Sequence, residues 1–139
     1  MGKIDPKQIP IRSHEWGITK WLVSSENEQT QGAQITFGQV DLMPGEGHER
    51  HNHEDAEEIL FVLSGHGEQM INDEPSFPIR AEDTLYIPKG VFHSTFNTGW
   101  EPLRLLAIYN PGGAEKALQQ LPDYREIPVG KVQKLTRPE

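Results

Sequence analysis

The sequence predicts an all-β domain, and three observations carry that expectation. Eleven prolines and thirteen glycines interrupt the 139 residues at short intervals, which breaks up long helices. The apolar segments left between them have strand length. Each is bounded by turn chemistry: MetProGlyGlu at 43–46, SerGlyHisGly at 64–67, AsnAspGluPro at 72–75 and AlaGluAsp at 81–83.

In chain order the expected strands are Lys20 to Val23, Ala33 to Leu42, Glu58 to Leu63, Glu68 to Ile71, Phe77 to Ile79, Thr84 to Ile87, His93 to Asn97 and Leu103 to Tyr109. Only residues 113–121 read as helix, and Pro122 stops them. Residues 1–18 are expected to form an N-terminal arm that covers a sheet edge or reaches a partner subunit. Residues 19–122 form the domain, and residues 123–139 a Pro-broken tail. The length suits one domain.

Composition narrows the function. Thirteen basic against 21 acidic side chains give a net charge of −8, which opposes binding to nucleic acid or to anionic membrane surfaces. No cysteine is present, so a disulfide framework and a thiolate metal site are both excluded. The first twenty residues lack a secretory apolar core, and no window reaches membrane-span length. A cytoplasmic protein is the expectation.

Chemistry concentrates in His51, His53, Glu58 and His93. His51 and His53 are two apart, so on extended chain both rings leave one face. Glu58 opens the returning strand and is expected opposite them on a neighbouring strand. Parity leaves Glu57 open as the alternative carboxylate, because Ile59, Phe61 and Leu63 share its face and are as apolar as Leu60 and Val62. Two apolar faces imply that the outer one is covered by a second subunit or by the arm, and a homodimer is expected. Three imidazoles and a carboxylate suit one divalent transition metal, Mn, Fe, Co, Ni, Cu or Zn, better than Ca or Mg. The bland alternative, a charged turn plus an unrelated core histidine, does not account for the glycine and proline punctuation.

These residues resemble the cupin superfamily. Its first motif is met at Gly45, His51, His53, Glu58 and Gly65, and its second at Pro88, Gly90, His93 and Asn97. Glu82 stands where the second motif has glycine. The resemblance covers residues 33–110 and is to the small single-domain members. It implies a double-stranded β-helix of the jelly-roll type, with a short C-terminal helix here, and a metal near its centre on His51, His53, Glu58 and His93.

The resemblance leaves the reaction open, because this fold serves many. The reading is a metal-dependent enzyme, of dioxygenase, isomerase or lyase type, acting on a small oxygenated organic molecule. The alternative is a module that binds a sugar, carboxylate or hormone-like ligand without turnover. No catalytic acid or base is assigned; His48 and Tyr86 are the nearest candidates. Gln34, Thr36, Gly38, Tyr86 and Arg104 are within reach of a cavity, although water or a subunit contact is their simpler destination. Phe92 and Phe96 are expected to pack away from His93. Trp16, Trp21 and Trp100 are expected to bury arm and loop surface, and His14 and His66 to be surface groups.

Overall fold

A computed structural model describes residues 2–134. Eleven strands run β1 Ile11–His14, β2 Gly17–Val23, β3 Thr36–Leu42, β4 Gly47–His51, β5 Glu57–Ser64, β6 His66–Ile71, β7 Phe77–Arg80, β8 Thr84–Ile87, β9 His93–Asn97, β10 Leu103–Asn110 and β11 Arg125–Ile127. They form two antiparallel sheets, ordered β11-β1-β2-β3-β10-β5-β8 and β4-β9-β6-β7. Among the described residues, helix is limited to short 3₁₀ segments.

Alternation builds the layers. In β5 Glu58, Leu60 and Val62 turn inward, and in β10 Leu103, Leu105, Ala107 and Tyr109 do the same. Leu42, Val62, Ile87, Leu103 and Ala107 are at most 1% exposed, so the core lies between the sheets, where apolar area removed from water stabilises most.

Several expected elements change in detail. The segment at 113–121 forms a 3₁₀ helix, Ala114–Gln120. Buried Glu115 accepts from Thr36 Oγ1 and the Gly113 amide, each at 3.0 Å, which ties the helix start to β3. Three strands escaped the sequence reading. β4 reads GlyHisGluArgHis and has no apolar residue to signal it, while β1 and β11 are short. Residues 11–14 of the arm pair with β2, and residues 125–127 of the tail pair with β1. Residues 135–139 of the tail and Met1 of the arm lie outside the described residues.

Candidate metal centre

Strand pairing assembles the histidines. His51 ends β4 and stands opposite His93, the first residue of β9. His53 lies just beyond β4, where its carbonyl accepts from the Gly90 amide at 2.9 Å and so joins the two motif segments. Glu58 comes from the other sheet and faces them across the core. This corrects the expectation that Glu58 lies on a strand neighbouring the histidines. Parity is resolved too: Glu58 is 4% exposed, while Glu57 points outward and accepts from Asn110 Nδ2 at 3.2 Å.

One potential donor atom from each of the four residues lies within 4.8 Å of the other three. His51 Nδ1 sits 2.6 Å from the Glu49 carbonyl and His93 Nδ1 3.0 Å from that of Val91. In the neutral rings Nδ1 therefore carries the proton, which leaves Nε2 bare to face the centre. Glu58 Oε2 lies 2.9 Å from His93 Nε2 and 3.3 Å from His53 Nε2. Yet these three buried atoms make no hydrogen bond. Their short contacts lack hydrogen-bond geometry, and orphaned buried groups of this kind are costly. A cation satisfies all three at once. Donors held about 2.1 Å from one ion stand about 4.2 Å apart at most, so the four atoms must draw together to close onto a metal.

For His48 and His51 electrostatics favours the same neutral state. Burial, with His48 and His93 as like-charged neighbours, lowers the His51 pKa to about 3, and burial lowers that of His48 to about 4. Both rings are neutral at pH 7, as ligation requires. Burial pushes the Glu58 carboxyl up, but the imidazoles of His53 and His93 outweigh it and hold the pKa at about 2. For His93 burial pulls down and the Glu58 carboxylate outweighs it, so the net shift is upward.

A small cavity of about 40 Å3 adjoins the quartet, with Trp16, His48, Thr95, Tyr109 and Leu118 in its wall. Tyr109 lies edge-on to His53, with ring centroids 5.1 Å apart. Burial raises its phenol well above the ordinary value, so it stays protonated and can donate. Thr95 Oγ1 donates to Gln69 Oε1 at 2.5 Å.

The other sequence candidates scatter. Tyr86 is 56% exposed on the outer face, beside Glu57, which removes it from acid–base chemistry at this cavity. Arg104 pairs with Asp41 at 3.6 Å on the surface, Gln34 faces water, and Thr36 serves the helix start. Gly38 lies against Trp21, where a Cβ would approach the indole to 2.4 Å. Trp21 is buried, Trp100 is 87% exposed and covers nothing, and Phe92 and Phe96 stay partly exposed. His66 is a surface group, but His14 is buried. Tyr109, Trp16 and Leu118 were not singled out as cavity residues from sequence. Tyr109 shares parity with the apolar side of β10, a signal that was present; the other two reach the cavity only through tertiary packing.

A family model described as cupin domain matches residues 38–109. Polyketide synthase CurC of Streptomyces cyaneus is 31% identical over 109 residues, covering 78% of this chain and 68% of that protein. The rhicadhesin receptor of Pisum sativum is 30% identical over 99 residues, covering 68% of this chain and 42% of the receptor. The chain thus spans about half the length of several curated relatives that it matches. Among solved structures, a predicted oxalate decarboxylase of Thermotoga maritima superposes with TM-score 0.66 at 28% identity, covering 80% of this chain and 100% of that one. Among the described residues, no helix is long and apolar enough to cross a membrane.

Proposed function

The chain belongs to the cupin domain family, and from that premise we propose that it is a metalloenzyme whose His51, His53, Glu58 and His93 hold one divalent transition metal and act on a small oxygenated organic acid. The observation that carries the metal is the trio of orphaned buried atoms, His53 Nε2, His93 Nε2 and Glu58 Oε2. The likeness to a predicted oxalate decarboxylase supports the acid. When bound, the ion supplies a Lewis acid for a carboxylate or carbonyl oxygen.

The chain's own residues do the rest. Tyr109 keeps its proton and offers a hydrogen bond to an oxygen in the cavity. His48, with a pKa of about 4, is too weak a base to take a proton effectively near neutral pH, so it orients a ligand instead. Leu60, Leu105 and Leu118 exclude water from the same space, which strengthens each polar contact there.

Oxalate and a series of 2-oxo acids, incubated with metal-loaded protein under air and under nitrogen, test the reading. Product that disappears in His51→Ala, while the thermal melt persists, supports it. A second reading rests on the receptor among the relatives: a module that binds such an acid without converting it. Stoichiometric heat of binding with the acid recovered unchanged selects that alternative.

The outer face of the larger sheet supports a homodimer. Cross-strand rows Phe37, Ile108, Ile59, Tyr86 and then Leu106, Phe61 place apolar side chains on the side away from the core, which isologous pairing would cover.

A further inference from the structure

The cavity of about 40 Å3 beside the quartet is walled on one side by Trp16, His48 and His51, and the same three residues bound an outer cleft of about 400 Å3. Trp16, with His48 and His51, thus forms the partition between solvent and the candidate metal, and of the three it is the one that is neither a candidate ligand nor on the strand that carries one. It occupies the two-residue turn between β1 and β2, where His14 pairs with Gly17, outside the residues 38–109 that the family model matches. Its backbone is pinned: the Trp16 carbonyl accepts from the Met43 amide at 2.9 Å, and the adjacent Glu15 amide donates to Asp123 Oδ2 at 2.6 Å. Its indole is 8% exposed and belongs to the apolar core cluster, and it lies flat on His14 with centroids 4.5 Å apart and 5.4 Å from the His48 ring. Both nitrogens of His14 are buried without a partner. Water reaching that ring when the indole turns aside would give both nitrogens partners.

We propose that Trp16 is the residue that sets which ligands reach the metal: closed, it admits uncharged or singly charged molecules of about three non-hydrogen atoms, and larger carboxylates enter only when the indole turns aside. The size follows from volume. One water needs about 10–15 Å3 of such space, so a cavity of about 40 Å3 holds about three atoms of that size. The charge follows from the outer cleft, whose wall carries Glu15, Glu46, Glu49 and Asp123. Its one guanidinium, Arg50, is already paired with Asp73 at 2.8 Å. A dianion meets repulsion along that path.

The inference rests on the metal reading, so the test separates the two. Cobalt(II)-loaded protein, with uptake measured by elemental analysis, is titrated with azide, oxalate and benzoate by visible absorption. In the unmodified chain azide should bind at least tenfold more tightly than oxalate or benzoate. Trp16→Leu should tighten benzoate at least tenfold and change azide less than threefold, with Trp16→Phe, a milder change to the fold, lying between. Equal binding of azide and benzoate by the unmodified chain, or equal shifts for both in the variants, overturns the gate alone. A protein that takes up no cobalt overturns the metal reading and the gate with it.

Discussion

At the residue scale, the cupin motif positions divide by what each side chain touches. Asn97 gives its amide hydrogens to the carbonyls of Leu42 and Glu101 and accepts from the Gly99 amide, so it clamps loops and has no donor left for a ligand. Gly65 has φ +93°, and a Cβ there would stand 2.6 Å from the Pro102 carbonyl oxygen. Gly65→Ala should therefore cost more than about 2 kcal/mol in chemical denaturation. Glu82 replaces the motif glycine yet keeps a glycine-like φ of +76°. Glu82→Gly should stabilise by about 0.5–1 kcal/mol; a loss of stability would contradict strain at that turn. The pH response follows from opposed shifts. His93 is raised above 6.5, so a metal arriving near neutral pH displaces its proton. Calorimetry in buffers of different ionisation enthalpy should show net proton release on metal binding that grows as pH falls, and affinity should fall with it. His48 and His51 are lowered to about 4 and 3, and Glu58 from 4.5 to about 2. The unfolded chain therefore binds more protons than the metal-free fold, and stability declines as pH drops below 6.5 towards those values. His93 acts oppositely, stabilising below 6.5 and losing that contribution as pH rises through its raised value.

At the element scale, β5, β8 and β10 were legible because their burial alternates, while β9, buried at four of its five positions, does not alternate. β8 and β9 match their expected bounds, and β5 and β10 lie within a residue of theirs. β4 was illegible because its residues earn their place through pairing with β9 and through Phe96, which covers Gly47 so closely that a Cβ there would meet its ring at 2.2 Å. The end strands β1 and β11 are stabilised by each other and by contacts of Arg12 with Glu126 at 2.9 Å and with the Tyr124 hydroxyl. Removing residues 123–139 should speed amide exchange in 11–14 by at least tenfold and leave β5 and β10 protected. Uniform exchange throughout would show that β11 supports the whole fold.

At the scale of the whole molecule, spacing foretold which four residues meet but not how. Glu58 arrives from the opposite sheet because the jelly roll folds β5 away from β4, and one-dimensional parity carries no sign of that crossing. The two-sided apolar pattern of β5 was legible, and its outward half, Ile59, Phe61 and Leu63, remains only partly covered. Sedimentation should show a dimer at micromolar concentration, and Phe61→Lys should shift it to monomer with metal uptake intact. A monomeric unmodified chain would contradict that assignment. The account turns most directly on an anomalous difference map from crystals grown with cobalt, recorded at the cobalt edge. One strong peak about 2.1 Å from donor atoms of His51, His53, Glu58 and His93 is the expected result; a featureless map between those side chains, with cobalt present in the crystal, would contradict it.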